Sequence, residues 1–321
     1  MSWGSIPAAG KRALDLVGLG ETSLDQTIEL ERMPLAGHKQ RARGERTSPG
    51  GQIATAVLAC SRLGLRCAFV GAVGDDSAAD AALAPLRSAG VDLSALQRVA
   101  GGRTRQALVL VEGRGGERSV IGKRDDSVSI DAGALDSGLF ERTRAVLLDD
   151  TDPEASLWAA RAARESGAVV FLDADGPVSE LEKLLPWVDF PVVSQLLAEE
   201  IGRGTSVLAG LEALCAAGAR IAVATLGEYG AMALAGVGGR ALCASAFEIE
   251  ARDTNGAGDA FHAAWIAAAL AAEDLEQALR MANAAAALNC VVQGAQGGLA
   301  GPEALARFLR TEQPGIWRDP R

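Results

Sequence analysis

Histidine is almost absent: His38 and His262 are the only two in 321 residues. A histidine-built zinc site is therefore nearly excluded, because such sites draw on several imidazoles or thiolates at short spacing. Cysteine is sparse as well. Cys60, Cys67, Cys215, Cys243 and Cys290 are odd in number, and no two form a C-x-x-C pair. Reduced thiols in a cytoplasmic protein are expected, not a disulfide framework. Basic charge is in deficit: against 41 Asp and Glu stand 31 Lys and Arg, a formal net charge of −10. Nucleic-acid binders need a basic face to displace counterions, and anionic membranes also attract basic surfaces, so no nucleic-acid or membrane partner is expected. Long apolar runs are missing. The longest, around residues 263–272, is too short to span a bilayer, and the N-terminus carries no apolar core of a signal peptide. Nowhere does a G-x-x-x-x-G-K-[ST] string occur, which excludes a P-loop.

What is present is a large apolar fraction, 49%, with 22% charged residues, enough to build a sizeable core. The length fits two ordinary domains or one large α/β domain. Residues 1–11 read as a loose extension, and 12–321 as one domain. Strand-like apolar runs at Ala13–Leu19, Cys67–Val73, Ala145–Leu148, Ala168–Leu172 and Ile221–Thr225 alternate with helix-period segments. Those segments are Gln52–Leu63, Ser77–Ser88, Glu154–Glu165, Ala257–Ala272 and Leu275–Val292. Buried strands alternating with helices predict an α/β fold with a doubly wound, mainly parallel sheet flanked by helices.

Two stretches break this rhythm. Residues 25–47 are rich in charge, and 103–124 read as strands Thr104–Val111 and Glu117–Gly122 around a turn at Glu112–Gly116. They are expected to pair into a small sheet outside the main domain; the alternative is two solvated surface loops.

Three glycine-bearing segments carry the chemistry. Asp253-Thr254-Asn255-Gly256-Ala257-Gly258-Asp259 opens an Ala-rich helix. Gly256 and Gly258 permit close backbone approach, and successive free N–H groups at a helix start make an anion hole. An aspartate beside such a hole, Asp259, can take a proton from a hydroxyl while a phosphoryl group is held in line. Alone, Gly-Ala-Gly-Asp would read as a capped helix start. Pro49-Gly50-Gly51-Gln52-Ile53-Ala54-Thr55 also precedes a helix, and its paired glycines allow approach to a polar ligand such as a sugar. Gly18-x-Gly20 is no dinucleotide fingerprint, because Ser23 replaces the third glycine and no helix pattern follows.

From about residue 13 to 310 the chain resembles the ribokinase-like (PfkB-type) carbohydrate kinases. The resemblance rests on Gly50-Gly51 with Gly71-Ala72-Val73-Gly74-Asp75-Asp76, and above all on the Asp253–Asp259 string. It implies a doubly wound α/β domain with a β-sheet lid and an ATP-dependent transfer to a sugar hydroxyl. Asp259 would be the base, the N–H groups of Gly256, Ala257 and Gly258 would form the anion hole, and Asp25, Gly50, Gly51, Gln52 and Thr55 would face the sugar. Thr225, Gly227 and Gly230 of Thr225-Leu226-Gly227-Glu228-Tyr229-Gly230 would lie along the ATP, with Asn283 near the adenine. Asp253 and Asn255 match a monovalent-cation (K+) site that some members use. Lid sheets of relatives often pair, so a homodimer is implied. Mg2+ is implied too, but the usual Asn-x-x-Glu stretch is Ser194-Gln195-Leu196-Leu197 here, and many relatives have Asn at Thr55. Some relatives resembling sulfofructose kinases share the Gly-Gly-x-x-Ala-Thr pattern and a Ser at the second site. Neighbouring Glu199 and Glu200 either substitute for that magnesium contact or, the favoured reading, form a solvated helix face.

Other polar groups stay open at this level. Asp149-Asp150-Thr151-Asp152 is either a substrate contact or a turn and helix cap. Lys123 and Arg124 either clamp an anionic substituent or keep an edge strand soluble. His262 is expected to pack or make a local hydrogen bond. A nucleoside kinase of the same fold and a non-catalytic sugar-binding homologue are the alternatives. Against the first, the two inserted segments contain no Phe, Tyr or Trp.

Overall fold

The structure, a computed structural model, describes residues 3–112, 118–174 and 181–315. Strands β1 (Leu14–Leu19), β4 (Cys67–Val70), β9 (Thr143–Leu148), β10 (Val169–Ala174), β11 (Phe190–Ser194) and β12 (Ile221–Thr225) pair in parallel in the order β4-β1-β9-β10-β11-β12. β13 (Ala231–Ala235) and β14 (Ala241–Ala244) continue the sheet antiparallel. The strands are near-continuous apolar runs because both faces are covered. Alternate residues face opposite sides and feed two cores. Leu16, Leu147, Phe171 and Val223 pack under the helices Gln52–Arg62, Ala257–Ala271 and Leu275–Cys290. Val17, Leu148, Val170 and Leu172 pack under Pro153–Glu165 and Val207–Ala216. Each such buried side chain contributes about 1.5–3 kcal/mol of transfer free energy.

Helix starts follow local capping chemistry: Asp76, Ser194, Ser206 and Asp274 each accept a backbone N–H three residues on. Two sequence expectations change. The run Cys67–Val73 is not one strand: it breaks at Gly71, where a Cβ would lie 2.6 Å from the Phe69 ring. The chain then leaves the main sheet as β5 (Ala72–Gly74), which pairs with β6 (Gln97–Val99). Nor is the N-terminal stretch loose where described. Trp3 is 5% exposed, packs edge-on against Trp265 and Phe190, and donates Nε1–H to Glu273 O at 2.6 Å.

A separate four-stranded sheet stands over the strand ends, ordered β3-β2-β7-β8. It comprises β2 (Ser23–Leu30), β3 (Gly44–Gly50), β7 (Gln106–Glu112) and β8 (Arg118–Lys123). The expected turn at Glu112–Gly116 lies, Glu112 apart, outside the described residues. Among the described residues no helix is long and apolar enough to cross a membrane.

Candidate active site

Five parallel strands end on one cavity of about 880 Å³. Glu21 follows β1, Asp150 and Thr151 follow β9, and Asp173, Ser194 and Thr225 sit at the ends of β10, β11 and β12; all six line it. Strand order reverses between β1 and β9, where a doubly wound sheet opens a crevice. Ser23, Asp25, Arg105, Ala107, Val120 and Arg124 form the wall contributed by the small sheet and its flanks. The loop and first turn of Ala257–Ala271 form another wall, through Thr254 to Asp259.

In that turn, Gly256 and Gly258 are glycine for different reasons. Gly256 has φ +76°, and a Cβ there would lie 2.1 Å from Ala295 O. At Gly258 a Cβ would meet nothing within 4 Å. The fold therefore dictates the first, while the second borders open cavity. First-turn N–H groups have no intrahelical acceptor. That of Ala257 turns back to Thr254 O through a long 3.3 Å bond. Asp259 lies in the same turn, half-buried and facing the cavity.

At the other end Asp25 is 7% exposed and accepts from Ser23 Oγ at 2.6 Å. Burial pushes its carboxyl up. Gly51 has φ +88°, and a Cβ there would lie 2.5 Å from Thr22 Cα. This tight turn delivers Gln52 to the cavity, where its Nε2 is buried without a partner among the described residues. Glu21 pairs with Arg105, yet burial still pushes its carboxyl up to about 7. Arg124 pairs with Asp152 and donates to Thr151 O at 2.7 Å. Asp149 is fully buried and accepts the N–H groups of Glu21 (2.8 Å) and Thr151 (3.0 Å). Burial holds its carboxyl well above the usual range. His262 Nε2 meets Asp173 Oδ1 at 3.1 Å, while its Nδ1 is buried with no partner among the described residues.

A second cavity of about 590 Å³ adjoins the first, sharing Gly227, Thr254, Ala257, Asn283 and Ala286. Tyr229, Phe247, Ile249 and Ala287 make it more apolar. Gly227, at φ +56°, and Gly230, at φ +104°, shape the turn between β12 and β13. Asn283 donates to Ala244 O at 2.9 Å and Ser245 O at 3.1 Å, which fixes its amide at the junction.

The structure thus brings Asp25, Gly51, Gln52, Thr225, Gly227, Gly230, Asn255, Gly256, Ala257, Gly258, Asp259 and Asn283 to one connected cleft. Thr55, Gly50 and Asp253 do not line it. Thr55 is fully buried and accepts from Gln296 Nε2 at 3.2 Å, one helical turn too deep to reach the cavity. Gly50 lies behind Asp25. Asp253 is 4% exposed at its side chain and paired with Arg46. Ser194 spends its hydroxyl on the helix cap, Leu197 is core, and Glu199 accepts from Gln195. Lys123 and Arg124, adjacent in sequence, point to opposite faces: Lys123 lines an outer groove with Ile121, and Arg124 the cavity. Sequence reasoning missed Glu21, Arg105 and Asp173. Asp173 could have been found from its place at the end of an apolar strand.

Comparison with known proteins matches this geometry. An ATP-dependent ribose-1-phosphate kinase from Halopiger xanaduensis is 29% identical over 92% of this chain and 97% of its own. The ribokinase of Bacillus subtilis is 30% identical over 88% and 94%. A solved structure from Agrobacterium tumefaciens superposes with a TM-score of 0.85 at 27% identity, covering 92% of this chain and 97% of that one. A family model described as pfkB family carbohydrate kinase matches residues 14–300, and the chain, with its doubly wound sheet and glycine-lined cleft, belongs to that family.

Proposed function

We propose that this kinase transfers the γ-phosphoryl of ATP to a hydroxyl of a sugar or sugar-like acceptor, with Asp259 as general base. The carrying observation is that Asp259 and the open space at Gly258 share one cavity with Asp25 and Gln52. A phosphoryl group at the first turn and a polyol on the opposite wall would then meet over Asp259. The more apolar cavity beside Asn283 suits the adenine; Gly227 lines both cavities and Thr225 the larger one. The Gly256 and Gly258 N–H groups would receive developing negative charge, and the helix dipole adds to them. Closure of the small sheet over the acceptor would exclude water.

Among the described residues no three metal-ligating side chains cluster, so Mg2+ fits only as an ion carried on ATP phosphates with its own waters. Asp173 and Asp259 are carboxylates in the same cavity that would receive those waters. When bound, the ion neutralises phosphate charge.

The acceptor wall is built mostly from polar residues, Asp25, Glu21, Arg105, Arg124 and Gln52, with Ala107 and Val120 beside them. Among the cavity's lining residues Phe261 is the sole Phe, Tyr or Trp, and the His262 ring is held by Asp173, which favours a polyol over a stacked base. Cys60, Cys67 and Cys215 are buried free thiols, which suits a reducing cytoplasm. Ile121, 55% exposed beside the outer groove, supports dimerisation through the small sheets, checked by light scattering at micromolar concentration. The test of function is ADP release with Mg2+ across ketoses, aldoses, sugar acids, sugar phosphates and nucleosides. A single strong sugar-class hit is expected. A nucleoside as the best acceptor would overturn the acceptor class, and ATP binding without turnover on any acceptor would overturn catalysis.

A further inference from the structure

The family resemblance placed a monovalent cation at Asp253 and Asn255, and the atoms present do not fit one. Asp253 Oδ1 accepts the N–H of Asn255 at 3.0 Å. Asp253 Oδ2 accepts the N–H of Gly294 at 2.8 Å and a guanidinium N–H of Arg46 at 2.5 Å. Asn255 O accepts from Asn289 Nδ2 at 3.0 Å, and the same amide donates to Ala295 O at 3.0 Å. Asn289 is fully buried, and its Oδ1 accepts Gly298 N–H at 3.1 Å, which fixes the donor end. Asp253 Oδ2 is thus filled by two N–H donors, and Asp253 Oδ1 and Asn255 O each already accept one.

Electrostatically, Arg46 does what the ion would do. A carboxylate as buried as Asp253 needs a compensating charge, and arginine supplies one that cannot be titrated away and that hydrogen-bonds as well. Arg46 comes from β3, opposite Thr27 of β2, and its Nη1 pairs with Glu29 of β2 at 3.1 Å, while its Nε is buried without a partner among the described residues. Glu29 in turn accepts from Gln293 Nε2 at 3.0 Å, beside Gly294. One guanidinium therefore ties the small sheet to the loop that precedes the Gly256–Gly258 turn.

We infer that Arg46 is a resident cation for Asp253, with the Asn289 amide capping Asn255, so that the anion-hole loop is assembled without potassium. The inference rests on the kinase reading only for its rate arm; its stability arm stands without turnover.

Melting temperature is measured in about 100 mM KCl and in tetramethylammonium chloride at equal ionic strength. The wild type should melt within about 1 °C in the two salts, and its turnover should agree within about twofold. Arg46→Ala should melt lower and gain a potassium-specific rise of several degrees, since potassium can then reach the bared Asp253. Arg46→Lys, which keeps a cation, should stay indifferent to potassium, and it serves if Arg46→Ala does not fold. A wild type that potassium stabilises by several degrees, or activates severalfold, would overturn the inference. So would an Arg46→Ala protein that folds and ignores potassium. Absence of turnover in every salt, with the melting behaviour as expected, would count against the kinase reading and leave the resident cation standing.

Discussion

Asp25 and Gly50 meet so closely that only a hydrogen fits between them: a Cβ on Gly50 would lie 2.0 Å from Asp25 Oδ2. Gly50 thus sets where the buried carboxylate points. Gly50→Ala is expected to displace Asp25 and raise the acceptor KM by about tenfold or more, the scale of one lost charged hydrogen bond. ATP affinity should be unchanged, because Gly50 lines neither cavity. Steady-state kinetics with each substrate varied checks this; an equal loss for both substrates would contradict it.

Gly256 and Gly258 should respond oppositely to alanine. Gly256→Ala places a methyl in positive-φ backbone against Ala295 O, and a stability loss of about 1–3 kcal/mol is expected. Gly258→Ala meets open space, so its melting temperature should hold while turnover falls, because the methyl enters the volume assigned to the phosphoryl. Thermal melts beside kcat values for both variants separate the two roles. Full activity in Gly258→Ala would remove the phosphoryl from that spot.

Glu21 sets a pH dependence. Its carboxyl is raised from 4.5 to about 7 by burial, only partly offset by Arg105. The folded state therefore holds a proton that the unfolded state releases. Stability from this group is complete below about pH 4.5 and is lost as pH rises through about 7, by at most about 3 kcal/mol. Glu21→Gln removes that loss, so its melting temperature relative to wild type should be higher at pH 8 than at pH 5. A difference that does not change with pH would contradict the assignment.

His262 and Asp173 form a buried pair at 3.1 Å. His262→Ala should cost about 1–3 kcal/mol of stability, because Asp173 keeps its burial and loses its donor. With Asp259 as the proposed base, kcat should fall less than about tenfold, below the range for losing a general base. A fall of about a thousandfold with unchanged stability would make His262 catalytic.

The sheet was legible where strands are continuous apolar runs, as in β9 and β10, buried along their whole length. β11 was not, because Pro191 interrupts the strand pattern, and β13 and β14 are short and Ala-rich, so that even the Gly238-Gly239 pair between them did not announce a hairpin. The two polar insertions announced a separate sheet by breaking the α/β rhythm. In the site, residues of one contiguous string, Asn255 to Asp259, were legible because the helix start brings them together. Pairs made only by folding were not: Arg46 and Asp253 are 207 residues apart, and Glu21, after β1, meets Arg105, just before β7. Thr55 fits a sugar-facing pattern, yet the helix turns it into the core beside Gln296.

The central claim is that Asp259 takes the proton from the acceptor hydroxyl. Turnover of Asp259→Asn on the best acceptor, with ATP binding measured in parallel, tests it most directly. A kcat lower by about 10²–10⁴-fold is expected, the usual worth of a general base, with the fold and ATP affinity preserved. Turnover close to wild type would contradict it.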